Sequence, residues 1–124
     1  MQTIEQDTRF YIAESTIRKA GNGLFAAMDL AAGSRLAVTG VQMKPGSTTD
    51  ICTAWADEYK IRFDNILVLP TGFAGMINHS SKPNLRKLIE NGLYFFVLEN
   101  AVASGSELFI EYSEYALKRF MQRA

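Results

Sequence analysis

Asn91 and Gly92 are two consecutive residues that tolerate positive φ, and they stand between the runs Leu85 to Glu90 and Leu93 to Leu98. A two-residue Asn-Gly loop matches the twist of paired strands, so this stretch predicts a tight antiparallel hairpin. The rest of the chain repeats the theme in smaller pieces, as short runs rich in β-branched and aromatic residues separated by turns. Arg9 to Ser15 reads as a first strand, Lys19 to Gly23 as an interruption, and Leu24 to Ala27 as a resumed apolar run. Ala32-Gly33 turns the chain, Arg35 to Thr39 is a strand that Gly40 ends, and Pro45 to Thr48 is a loop. Ser104-Gly105 precedes a last strand from Glu107 to Tyr112. Between these, Thr49 to Asn65 reads two ways: Ile51, Trp55 and Tyr59 are spaced for a helix, while Tyr59 to Phe63 alternates as a strand does. From Ser113, a candidate N-cap, a short helix carries Leu117, Phe120 and Met121 on one face, with Lys118, Arg119 and Arg123 toward its end. The expectation is a mainly β chain.

With 124 residues and no repeat or low-complexity tract, one domain over 1–124 is expected. Its 48% hydrophobic and 21% charged residues suit a packed core. Thirteen basic residues balance thirteen acidic ones, which leaves no global field to draw in nucleic acid or an acidic membrane surface. The single cysteine, Cys52, and single histidine, His79, exclude an internal disulfide and the usual structural zinc sites, so no metal is expected. Glu5 and Asp7 lie where a signal peptide needs positive charge, and no apolar run reaches membrane-spanning length. A soluble intracellular protein, cytoplasmic or nuclear and not secreted, is the resulting expectation.

Three segments combine small, polar and aromatic residues beyond what core packing asks for: Lys19 to Gly23, Asn78 to Asn84, and Glu107 to Tyr112. Taken singly, each has a plain structural reading. Gly21-Asn22-Gly23 lacks the third glycine of a dinucleotide fingerprint and the Gly-Lys of a phosphate loop, and serves equally as a sharp turn. Asn78 to Asn84 serves as a polar loop whose Asn and Ser side chains bond nearby backbone. Tyr112 on an apolar strand serves as a half-buried tyrosine. With one histidine and no Gly-x-Ser-x-Gly elbow, metal-assisted hydrolysis by paired histidines and serine-type acyl transfer are set aside.

Order and spacing change that reading. Gly21-x-Gly23 followed by Leu24-Phe25-Ala26, then Ile77-Asn78-His79-Ser80-Ser81-x-Pro83-Asn84, then Gly105-x-Glu107-Leu108-Phe109-Ile110-Glu111-Tyr112, resembles the SET-domain protein lysine methyltransferases from about Phe10 to Tyr115. The middle motif matches except at Ser81, where cysteine is common. The closing motif matches at Gly105, Glu107, Leu108 and Tyr112 and departs at Ser106 and Glu111. Without flanking cysteine-rich modules, the chain is similar to the minimal single-domain forms of viruses and bacteria.

The resemblance implies a SET-domain, or β-clip, fold of several small sheets, with a core of about 10–115, a knot-like C-terminal crossing and a short helix over 113–124. It implies S-adenosylmethionine as cofactor and a lysine-bearing protein or peptide as substrate, histones among the candidates. Asn22 and Gly23 then present backbone to the amino-acid end of the cofactor, Asn78 bonds its amino group, the backbone of His79 reads the adenine edge, and Tyr59 falls near a cofactor-contacting tyrosine. Tyr112 takes the catalytic position, where a hydroxyl at the neck of a channel orients the target amine. Ile110 stands at the channel position that sets how many methyls fit, and Phe73, Phe95, Phe96 and Phe109 are aromatic stock for channel walls. With no cysteine-rich cap, Tyr115 or Phe120, or a second copy of the chain in a homodimer, is expected to cover the cofactor. Asp50, Asp57 and Glu58 are acidic candidates for a peptide groove. Val38 occupies the place of a further channel tyrosine, so a SET-fold peptide-binding module with weak or no turnover stands as the alternative.

Overall fold

A computed structural model describes residues 7–111 of the chain. Its strands are β1 (Phe10–Glu14), β2 (Asn22–Ala26), β3 (Arg35–Ala37), β4 (Gly40–Met43), β5 (Ile61–Phe63), β6 (Ile66–Pro70), β7 (Asn78–His79), β8 (Leu85–Glu90), β9 (Leu93–Leu98) and β10 (Glu107–Ile110). A single turn-and-a-half of helix, α1 (Thr48–Cys52), and two 3-10 segments, Ala54–Tyr59 and Gly72–Met76, complete the described elements. The strands form three small sheets, ordered β1-β2-β10-β7, β3-β9-β8 and β4-β6-β5. The mainly β expectation holds.

The hairpin falls where Asn91-Gly92 places it, with Glu90 paired to Leu93 and Leu85 to Leu98. Both loop residues take positive φ, 53° and 75°, which is what a turn matched to strand twist demands. Gly40 corrects the sequence reading. It begins β4 rather than ending a strand, opposite Pro70. Its φ of 151° suits glycine, and a Cβ there would collide with the Leu69 carbonyl.

Thr49 to Asn65 resolves into helix, 3-10 turn and strand in succession, so both periodicities were present. The helical spacing nevertheless misleads about burial: Ile51, Trp55 and Tyr59 are 69%, 70% and 55% exposed. A break at Thr53 and a kink at Ala56 prevent any continuous helical face. Between Thr49 and Lys60 the buried residues are instead Asp50, Ala56 and Lys60. The Lys60 ammonium donates to Asp50 O at 2.9 Å, Asp50 Oδ1 at 2.8 Å and Asp57 Oδ1 at 2.6 Å. Asp50 Oδ2 accepts from Gly46 N at 2.8 Å, closing α1 onto the preceding turn. Asp50 and Asp57 thus both hold the Lys60 ammonium.

The core lies between the sheets. Phe63, Phe96, Leu24, Leu67, Leu108 and Val68 are its largest fully buried side chains, and Phe63 stacks on Phe96 with ring centres 5.9 Å apart. Val38 is buried in the same cluster. The terminal helix, the crossing after β10, and the positions of Tyr112, Tyr115 and Phe120 lie outside the described residues.

Candidate functional site

Strand β10 joins the three motif segments. It pairs antiparallel with β2, Leu108 opposite Leu24, and parallel with β7, Phe109 opposite Asn78 and Ile110 opposite His79. β7 is only two residues long, and Asn84 extends its work with a side chain. The Asn84 amide donates to Glu107 O at 2.9 Å and accepts from Phe109 N at 2.8 Å, imitating a strand neighbour for β10. Ser80 N donates to Ile110 O at 3.1 Å. Alternate residues of a parallel strand face a given partner, so the N–H and C=O of His79 turn away from β10.

Glu107 is the polar centre of this junction. Its Oε1 accepts from Thr16 N at 2.7 Å and Thr16 Oγ1 at 2.6 Å. Its Oε2 accepts from Ser15 Oγ at 2.7 Å and Asn78 Nδ2 at 3.2 Å. Asn78 Nδ2 also donates to Asn22 O at 3.1 Å. Burial pushes the Glu107 carboxyl up, but the Thr16, Ser15 and Asn78 hydrogen bonds outweigh it and leave the group below its ordinary value. Gly23 packs directly against this cluster, since a Cβ there would strike Glu107 Oε2 and crowd Asn78 Nδ2.

Two cavities open beside the junction. The larger, about 390 Å³, is lined by Ala20, Asn22, Glu58, Tyr59, Gly75, Met76, Ile77 and Asn78, a size at the lower end of ligand pockets, about 300–1,000 Å³. The smaller, about 30 Å³, runs past Ile61, Ala74, Lys87, Ile110 and Glu111. Glu58, Tyr59, Gly75 and Ile77 belong to both walls, so the two spaces adjoin across them. Lys87 donates from Nζ to Arg62 O at 2.7 Å. Burial, with the Arg62 charge adding to it, holds the Lys87 ammonium below the usual lysine value.

Of the residues singled out from sequence, Asn22, Tyr59 and Asn78 share the larger cavity, and Ile110 lines the smaller one. Gly23 is buried behind the cavity rather than on its wall, because the Glu107 carboxylate needs the space of its missing side chain. His79 sits on β7 with its side chain on neither wall. The phenylalanines noted from sequence lie elsewhere than on these two walls. Phe96 is core, Phe73 packs on Phe10 at 5.9 Å and faces another cavity with Phe95, and the apolar part of the smaller cavity's wall is Tyr59, Ile61, Ala74, Ile77 and Ile110. Tyr112 follows Glu111 directly and lies outside the described residues. Sequence reasoning missed the roles of Glu107 and Asn84, and the signal was available: a carboxylate at an inward position of an apolar strand requires partners.

Asn78 offers a group of the kind that the ammonium of S-adenosylmethionine would need. With Nδ2 committed to two acceptors, Asn78 has its carbonyl oxygen as the remaining end for a ligand ammonium. No protein-family profile and no curated protein sequence matches the chain. Solved structures do. A humanized mutant of the Chaetomium thermophilum Polycomb Repressive Complex 2 bound to an inhibitor is 21% identical with a TM-score of 0.72, over 86% of this chain and 15% of that one. The same fungal complex, autoinhibited and bound to S-adenosylmethionine, is 21% identical with a TM-score of 0.68, over 92% and 16%. A Plasmodium falciparum protein whose name proposes a histone methyltransferase is 19% identical with a TM-score of 0.62, over 88% of this chain and 96% of that one. The chain spans about 15% of the length of the first of these. Its fold is the SET-domain fold.

Proposed function

We propose that this chain, as a single SET domain, is an S-adenosylmethionine-dependent protein lysine N-methyltransferase. The parallel pairing of β10 with β7 carries the reading, because it brings the strand leading to Tyr112 against the Asn78-His79 bend, beside two adjoining cavities of unequal volume. In this reading Asn22, Tyr59 and Asn78 hold the cofactor in the larger cavity, and the backbone of His79 serves its adenine. Bound there, S-adenosylmethionine supplies an electrophilic methyl group on a sulfonium. The chain's own task is to deliver a neutral amine in line with that methyl. A free lysine, with a pKa of about 10.4, is neutral at pH 7 in roughly one molecule of a few thousand, a handicap of about 4 to 5 kcal/mol. A small space in which Ile61, Ala74, Ile77 and Ile110 share the wall with Lys87 and Arg62 disfavours a further positive charge by desolvation and by like-charge repulsion, against the pull of Glu58 and Glu111 on the same wall, and so reduces that handicap. The Tyr112 hydroxyl then orients the nitrogen.

Incubation with labelled S-adenosylmethionine, lysine peptides and whole lysate, read by mass spectrometry, tests this. Label on lysine is expected, and Tyr112→Phe should lower turnover roughly a hundredfold with the fold intact. Absence of transfer from a folded chain that binds the cofactor would favour the second reading, a SET-fold peptide-binding module. The observation on that side is Val38, which lies in the core and brings no hydroxyl to either cavity. A homodimer covering the cofactor belongs to the same proposal: deleting residues 115–124 should change cofactor affinity or oligomeric state, read by titration and light scattering.

A further inference from the structure

We propose that Glu107 is a positioning residue for the amino-acid end of the methyl donor: it fixes the direction of the Asn78 amide so that Oδ1, and not Nδ2, meets the donor's ammonium. The inference rests on the methyltransferase reading and deepens it.

An asparagine amide is nearly symmetric in shape, and only its hydrogen-bond partners decide which end points where. At Asn78 the decision is unambiguous. Nδ2 lies 3.1 Å from Asn22 O and 3.2 Å from Glu107 Oε2. A backbone carbonyl and a carboxylate are acceptors only, so the amide nitrogen must face them and the carbonyl oxygen is left for the cavity that Asn78 lines. An ammonium needs an acceptor there. Were the amide turned over, it would offer two N–H donors to a cation.

Glu107 is itself held rigidly. Thr16 N and Oγ1 fix Oε1, Ser15 Oγ fixes Oε2, and Asn84 anchors the Glu107 carbonyl. Gly23 leaves no room for the carboxylate to be crowded and no side chain to displace it. The chain thus spends six residues from three distant segments on the orientation of one amide.

Glu107→Gln isolates the effect. Thr16 N can only donate, so the new side chain must place its oxygen there and its NH₂ group where Oε2 stood, opposite Asn78 Nδ2. Two donors then face each other, and the one acceptor left to Asn78 Nδ2, Asn22 O, must hold the amide against that repulsion, so its orientation is loosened. The measurement is isothermal titration of the full chain with S-adenosylhomocysteine and with 5′-methylthioadenosine, which shares the adenosine and thioether but lacks the amino-acid end. Glu107→Gln should weaken S-adenosylhomocysteine about ten- to a hundredfold, as expected for a lost charged contact, and leave methylthioadenosine within about twofold. In an Asn78→Ala background the same change should add nothing. Equal losses for the two ligands, no loss for S-adenosylhomocysteine, or full additivity with Asn78→Ala would overturn the role. If the wild-type chain binds neither ligand, it is the methyltransferase reading that fails. Should the Gln variant not fold, Glu107→Asp keeps the charge but cannot span Thr16 and Asn78 together, and the same ligand-selective loss is expected of it.

Discussion

Gly23 shows how a single residue can be constrained by a group far from it in the chain. A glycine beside Asn22 invites the idea of close backbone approach to a ligand. The structure shows one close approach at this glycine, to the Glu107 carboxylate and the Asn78 amide. Gly23→Ala should displace the carboxylate from bonds it makes with Ser15, Thr16 and Asn78, costing about 1–3 kcal/mol of stability and weakening cofactor binding. Urea denaturation and titration check the two effects. Lys60 makes a related point with charge. It is 2% exposed and meets Asp50 and Asp57 at 2.8 and 2.6 Å. Lys60→Met would strand the buried Asp50 carboxylate, and a loss of about 3–5 kcal/mol is expected, visible as a lower denaturation midpoint. Because Lys60 follows Tyr59, that loss should also loosen the wall shared by the two cavities.

Among the elements, those whose instructions are local were legible. The β8–β9 hairpin follows from Asn91-Gly92 because its turn conformation is a property of two adjacent residues. Gly92→Ala, forcing a side chain onto a φ of 75°, should cost about 1 kcal/mol. Cofactor affinity should be unchanged, since the turn lines neither cavity. The segment from Thr48 to Phe63 was not legible in the same way. Its spacing-four residues point outward because α1 is too short to own a face, and what holds the segment inward is an ion cluster that periodicity does not see. β7 is the extreme case. Two residues make no sequence signal, and the strand exists because β10 pairs with it, while the Asn84 amide continues the pairing along β10.

For the molecule as a whole, the junction of three distant segments ties stability to pH. The folded chain holds the Glu107 carboxyl below its ordinary value of 4.5, with burial opposing and the Thr16, Ser15 and Asn78 bonds prevailing. A depressed folded value means that the unfolded chain binds the proton more readily. The stabilisation is therefore complete above about the ordinary value and is lost as pH falls through the lower folded one. Denaturation midpoints between pH 3 and 7 should fall on the acid side, and Glu107→Gln should flatten that limb. The partners named are uncharged, so added salt should change the limb little.

Turns, the hairpin, the mainly β character and the identity of the three polar segments are written in residues close together in the chain, where φ preference and alternation act without long-range help. Tertiary structure alone decided that Glu107 would meet Ser15, Thr16 and Asn78, that Gly23 would make room for them, and that Tyr59, Ile61, Ala74, Ile77 and Ile110, rather than phenylalanines, would form the apolar part of the smaller cavity's wall. The reason is physical: a buried carboxylate's partners are chosen by which backbones the sheets bring within about 3 Å, and strand order, not sequence distance, settles that.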